Sequence, residues 1–335
     1  MRLDDRVGRL AQMVRRRWSL RIEKARQRGR NARSFEWALL NVKTLGYELA
    51  RTIASTNLRP PPSAPPAAAL VSKMCTQSDM ESAWFAFWCA ELGITPFYHR
   101  KVWEHCYVAQ ALMSAGMMAP GRRGLGFGCG DEPLASLFAK YGCEILATDL
   151  PPTAAQARHW RAIGQHASGA GAARQERICP DRAKLAKIGF RSLDMKRIPD
   201  DLAGTFDFCW SCCALEHLGS IANGAAFIAN SLRTLKPRGL AVHTTEYNLD
   251  DAGGTLDRGG TVLFQRKHIE AIARRLRADG HRVAELDFDP GDGLLDRFVD
   301  LPPWKPGEPP SPLHLKLSVF GYRCTSYGII VERAG

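Results

Sequence analysis

The apolar positions of this chain change period as the sequence proceeds. Between residues 3 and 53 they recur at helical spacing. Leu3, Val7, Leu10, Val14 and Trp18 form one stripe, and Phe35, Leu39, Val42, Leu49 and Ile53 form a second, with arginines filling the other faces. This predicts a solvated helical hairpin. Residues 59–69 have no period, and their five prolines predict an extended linker. Residues 78–88 and 98–112 are aromatic-rich and predict two helices whose rings serve core packing. From residue 124 onward, short apolar runs alternate with helical periods, the pattern of an α/β parallel sheet covered on both faces. Predicted strands are 124–128, 144–149, 188–193, 206–211, 240–245, 282–288 and 325–332; predicted helices are 134–141, 153–162, 225–235 and 266–278. Seven prolines over 289–313 predict a long irregular loop. The chain thus divides into a basic helical extension (1–58), a Pro/Ala linker (59–69), a helical cap (70–120) and an α/β domain (121–335).

Charge sharpens this division. Residues 1–33 hold twelve Arg/Lys against three acids, so +9 of the net +12 lies in this head. Such a head suits an anionic membrane surface or an acidic protein partner. Nucleic acid is disfavoured, because no aromatic-plus-basic surface accompanies the charge. No apolar run approaches the roughly 20 residues that span a bilayer, and the N-terminus lacks the apolar stretch of an export signal. A cytoplasmic protein, peripheral at the inner membrane face, is expected. Its ten cysteines are then reduced thiols. Cys209, Cys212 and Cys213 have no second Cys/His pair at zinc spacing, so no metal is predicted.

The chemistry concentrates in Gly124-Leu-Gly-Phe-Gly-Cys-Gly130 and in Asp149 at the end of the next apolar run. Glycines there permit φ > 0 and close approach of a ligand to backbone. A carboxylate at the following strand tip suits two vicinal ribose hydroxyls. The dinucleotide fingerprint G-x-G-x-x-G fails, because its third glycine position is Asp131 or Pro133. An NAD(P)-dependent oxidoreductase is thereby disfavoured.

Four blocks in order resemble class I S-adenosylmethionine (SAM) dependent methyltransferases, the type 11 group in particular. They are Gly126-Phe-Gly-Cys-Gly130; Asp149; Phe190-Arg-Ser-Leu-Asp194 with Ile198-Pro199; and Thr205 through Leu218 followed by Ser231 through Gly239. The resemblance covers about 124–250. It implies a Rossmann-like, seven-stranded, mostly parallel sheet whose last strand is antiparallel. It also implies that Gly126, Gly128 and Gly130 pass beneath the methionine and ribose, and that Asp149, followed by Leu150, binds the ribose. Asp194 and Met195 would meet the adenine, and the backbone around Ser211 would lie near the methionine. The acid usual in the first strand is Gly126 here, and a usual loop glycine is Glu132, so Glu132 is a candidate for the missing carboxylate.

Methyl transfer requires alignment, exclusion of water and a base for the acceptor proton. Glu216 and His217 after the fourth strand, and Glu246 after the fifth, are the candidates; imidazole exchanges protons near neutrality and makes His217 the natural base. Further segments, including Phe97 through Trp103 and Thr244-Thr-Glu-Tyr-Asn248, are similar to bacterial methyltransferases found with surface-polysaccharide genes. That similarity implies O-methylation of a glycan or small hydroxylated acceptor, with Gly291-Asp-Gly293 on the acceptor side. The alternative is a SAM-binding scaffold or sensor without turnover.

Overall fold

The computed structural model describes residues 3–154, 157–162, 166–304 and 311–335, apart from the side chains of residues 3–22, 25, 26, 30 and 159. The stripe Leu3 through Trp18 and most of the basic head therefore lie outside the described side chains.

The chain forms two compact units, Met1–Leu49 and Ala50–Gly335. Helix α1, Leu3–Asn57, accounts for the first and runs on into the second. It is one continuous helix rather than a hairpin, because no proline precedes Pro60 and nothing else forces a turn. Phe35, Trp37, Leu40, Val42 and Leu45 stand exposed on it. No helix among the described residues is long and apolar enough to cross a membrane.

In the second unit a nine-stranded sheet organises everything else. Its strands are β1 (Arg123–Gly126), β2 (Glu144–Asp149), β3 (Ile188–Ser192), β4 (Phe206–Cys212), β5 (Leu235–Asn248), β6 (Arg282–Val283), β7 (Val299–Asp300), β8 (Lys316–Val319) and β9 (Tyr322–Glu332). The order is β3-β2-β1-β4-β5-β9-β8-β7, with β6 also on β9. β1 through β5 pair in parallel, and β9 runs antiparallel to β5. The predicted strand 282–288 shortens to two residues, and two short edge strands add to the seven expected. The sequence order reverses at β1 and β4, and α/β sheets bind ligands outside the strand ends at such a switch.

Helices cover both faces. α2 (Ala83–Glu91), α3 (Arg100–Ser114) and α4 (Leu134–Lys140) precede the short Ala157–Ala162 helix, α5; α6 (Ile221–Leu232) and α7 (Arg266–Ala278) follow. In α7 the apolar positions Ile269, Ile272, Ala273 and Leu276 are buried and the arginines between them exposed. They join Phe227, Ile228 and Leu232 of α6 and Ile329 and Val331 of β9 in the main core. On α4, Phe138 meets Phe208 and Trp210 edge-on at 5.4 and 4.9 Å.

The proline segment is tied down. The Gln110 amide donates to the carbonyls of Pro66 (3.0 Å) and Ala68 (3.1 Å), and Gln110 Oε1 accepts from Trp88 Nε1 at 2.8 Å. The segment after it adds to the sheet edge through Lys73–Gly328 and Cys75–Ser326 backbone bonds. Unpaired prolines suit this course, since side-chain amides and a few β-bridges hold it rather than a full ladder.

Candidate active site

A cavity of about 640 Å³ opens at the carboxyl ends of β1 to β5. Its floor is the glycine loop. Gly128 and Gly130 turn at φ +61° and +52°, and both line the cavity. Gly126 lies just behind. A Cβ on it would stand 2.3 Å from Cys129 Sγ and 2.4 Å from the Trp210 ring. Trp210 thus occupies the volume an acidic side chain at 126 would need. Its indole Nε1 donates to Glu132 Oε1 at 2.5 Å, which fixes the Glu132 carboxyl at the cavity wall. Burial pushes that carboxyl up to about 8, against opposing hydrogen bonds from Trp210, Cys212 and Cys129.

Asp149 is buried at the tip of β2, where Oδ1 accepts the Leu150 N–H (2.7 Å) and Oδ2 the Ala167 N–H (2.8 Å). Each oxygen keeps a lone pair for a ligand hydroxyl. Leu150, Asp194 and Met195 also line the cavity, and Asp194 accepts the Lys196 N–H at 2.9 Å.

Among the catalytic candidates the structure separates neighbours. His217 lines the cavity, and its ring meets Trp160 of α5 edge-on at 4.6 Å. His217 Nδ1 donates to the Gly260 carbonyl at 2.9 Å, an assignment from the hydrogen-bond partner, and this leaves Nε2 as the unprotonated nitrogen. Glu246 also lines the cavity. Its Oε1 pairs with Arg100 Nη2, while Oε2 is buried with no hydrogen-bond partner. Glu216 does not reach the cavity: the 3₁₀ turn Leu215–His217 directs it inward, where it accepts from Thr245 Oγ1 at 3.3 Å. Burial raises its carboxyl. Ser211 is likewise displaced. Period-two alternation along β4 sends it to the opposite face from Trp210 and Cys212, and its hydroxyl bonds His243 Nδ1 at 2.9 Å. His243 is wedged between Ser211 and Ser231 Oγ (3.0 Å) as a satisfied buried imidazole. Gly291 and Gly293 pack on Asp296 and Gln77 and are not part of the cavity lining.

The sequence reading missed one wall. Lys101, Glu104 and His105, on a single face of α3, all line the cavity. Glu104 is fully buried and accepts from Ser326 Oγ (2.5 Å), Cys213 Sγ (3.1 Å) and Arg100 Nη1 (3.3 Å). Burial alone would raise its carboxyl, but Lys101, Arg100 and these hydrogen bonds hold it below its usual range. Cys213 sits among them with φ +44°, an uncommon left-handed conformation for a side chain of this size, at the turn out of β4. The available signal was the spacing of Arg100, Lys101, Glu104 and His105 in a helix otherwise rich in apolar residues.

Residues 125–243 match the family model described as a methyltransferase domain. The methyltransferase match is confined to those residues, about a third of the chain. This match stands over the dinucleotide alternative, and SAM is the cofactor of this domain class. No curated protein matches the chain in sequence. Solved structures similar to it include a candidate sarcosine dimethylglycine methyltransferase from Galdieria sulphuraria, 19% identical over 54% of this chain and 60% of that one, with TM-score 0.37. Others are a magnesium protoporphyrin IX methyltransferase from Synechocystis (14%, 69% and 82%, TM-score 0.41) and a SAM-dependent methyltransferase from Mesorhizobium loti (16%, 67% and 96%, TM-score 0.37). The first of these matches spans less than two thirds of its relative, and likenesses at these scores carry no argument about substrate.

The methyltransferase domain fits its cofactor. The lining holds six carboxyl groups, Glu104, Asp131, Glu132, Asp149, Asp194 and Glu246, against two lysines, an excess that suits a sulfonium with an ammonium. Asp149 lines the cavity with a lone pair free on each oxygen, and Glu132 is a carboxyl without a cationic partner on the same lining.

Proposed function

We propose that this domain transfers a methyl group from SAM to a hydroxyl of a glycan or small hydroxylated acceptor, with His217 as the base. What carries the reading is the presence, in one cavity lining, of an imidazole whose Nδ1 is held by a carbonyl and a buried carboxylate oxygen, Glu246 Oε2, that lacks a partner. The cofactor supplies an electrophilic methyl for in-line displacement. Glu246 Oε2 accepts a hydrogen bond from a neighbouring hydroxyl of the acceptor and so orients it, and Arg100 holds that carboxylate in place from behind. His217 Nε2 takes the hydroxyl proton, and the Gly260 carbonyl steadies the imidazolium through Nδ1–H. Gly128, Gly130 and Asp149 position the cofactor, and α3 closes the wall against water.

Incubating the full chain with radiolabelled SAM and envelope glycans is the direct test, with an alkali-stable O-methyl ether as the expected product. Label on nitrogen or carbon would overturn the hydroxyl assignment, and cofactor binding with no transfer to any fraction would favour the scaffold. His217→Asn is expected to lower kcat by roughly 10²–10⁴-fold while leaving S-adenosylhomocysteine affinity unchanged by calorimetry. An unchanged kcat would remove His217 from the base role.

Glu132 is proposed to hold the cofactor ammonium in place of the acid absent at Gly126. Its carboxyl is raised to about 8, so below that pH binding a cation must first expel a proton. Affinity for S-adenosylhomocysteine should therefore climb with pH up to about 8, with uptake of the proton by buffer visible in calorimetry. Glu132→Gln should flatten this slope and weaken binding about 10–100-fold at the plateau. A slope that survives the substitution would assign the proton to another group.

A further inference from the structure

The cavity wall brings together three donors that are far apart in sequence. His105 of α3, Glu132 of the loop after β1 and Cys212 at the end of β4 each line the cavity and are half-exposed. One ligand atom from each, Nδ1 or Nε2, a carboxylate oxygen and Sγ, all lie within 4.8 Å of one another. We propose that His105, Glu132 and Cys212 bind a thiophilic divalent cation of the zinc class, and that this ion excludes the methionine end of the cofactor. The second part rests on the reading of Glu132 as the ammonium partner.

The donor set selects the metal. Imidazole, thiolate and carboxylate together suit zinc or cobalt(II), whereas magnesium and calcium ask for oxygen ligands throughout. Tetrahedral bonds of 2.0–2.3 Å place ligand atoms about 3.5 Å apart, so a contraction of about an ångström closes the set. Half-exposed side chains on a cavity wall can make that adjustment, and the cavity leaves room for a water as fourth ligand. An outer contact is already in place: Trp210 Nε1 holds Glu132 Oε1 at 2.5 Å, and the Cys212 thiol hydrogen bond to this carboxyl is the contact the ion would replace. Burial keeps the His105 imidazole uncharged, pushed down to about 4, so its lone pair is available. Binding of the metal displaces the Cys212 thiol proton to solvent. The neighbouring group Cys213, Glu216 and Glu246 is a poorer host, because the Arg100 guanidinium already sits on Glu246.

The test is titration of the full chain with cobalt(II) chloride under anaerobic conditions, read by thiolate-to-cobalt charge-transfer absorption. One saturable equivalent is expected in the wild type, retained in Cys213→Ser, lost in Cys212→Ser and at least about 10-fold weaker in His105→Ala. No charge-transfer band in the wild type, or an unchanged band in Cys212→Ser, overturns the site. Should Cys212→Ser fail to fold, unchanged affinity in His105→Ala overturns it instead. S-adenosylhomocysteine is then expected to displace the cobalt. Cobalt retained at saturating S-adenosylhomocysteine overturns the competition and the ammonium reading of Glu132, while a band that depends on Cys212 still supports the metal site.

Discussion

Replacing Arg100 with methionine is expected to cost the folded chain about 3–5 kcal/mol, read as a lowered urea midpoint at pH 7. Methionine keeps the length and the packing of the aliphatic stem and removes only the guanidinium. Glu104 and Glu246, both buried, would then face each other's charge without the cation that lies between them. Ser326 and Cys213 would keep donating to Glu104, which is why the loss is not larger. The pH dependence has a definite sign. In the wild type the Glu104 carboxyl is held below its ordinary 4.5, so it stabilises above that pH and loses its contribution as pH falls through the lowered value. In Arg100→Met burial is offset only by Lys101 and the Ser326 and Cys213 hydrogen bonds, so the carboxyl rises, and acidification toward pH 5 should recover part of the lost stability. A loss under about 1 kcal/mol at pH 7 would show that water screens the cluster.

Restoring the family's acid with Gly126→Asp is expected to destabilise by about 3 kcal/mol or more and to weaken, not strengthen, cofactor binding. The new Cβ would stand 2.3 Å from Cys129 Sγ and 2.4 Å from Trp210, and overpacking of this kind costs about 1–3 kcal/mol. A carboxylate buried there without a partner adds a further penalty. Moving Trp210 would also release Glu132, so affinity falls with stability. Gly126→Ala separates the two contributions, since it carries the steric part alone. Tighter S-adenosylhomocysteine binding by Gly126→Asp would show that Glu132 has not taken over the role of the missing acid.

The contrast between these two positions shows what was readable in the sequence. The turns at Gly128 and Gly130 and the strand tip at Asp149 were legible because they follow from local conformation, which is fixed within a few residues. The parallel sheet was legible for the same reason, as alternation of short apolar runs with helical periods leaves few topologies. Arg100 was not. Its partners lie 146 and 226 residues away, at Glu246 and Ser326, and no period in the sequence links them. The side chains of Ser211 and Glu216 lie one residue from the cavity-lining Cys212 and His217. In a strand a shift of one residue moves a side chain to the opposite face, and in a 3₁₀ turn it points the side chain into the core. The single helix α1 was misread because two apolar stripes suggested two helices, although the segment between them holds no proline and Gly29 and Asn31 alone do not break the helix.

The charged cluster beneath the site also sets an order of events during synthesis. Arg100 and Glu104 emerge early, Glu246 follows, and Ser326, which bonds both of the early residues, belongs to β9 near the end of the chain. β9 is also the strand that joins β5 to β8 and receives the Lys73 and Cys75 backbone. A nascent chain shorter than Ser326 therefore cannot seal this cluster, and α3 must keep its charged face hydrated until the last strand arrives.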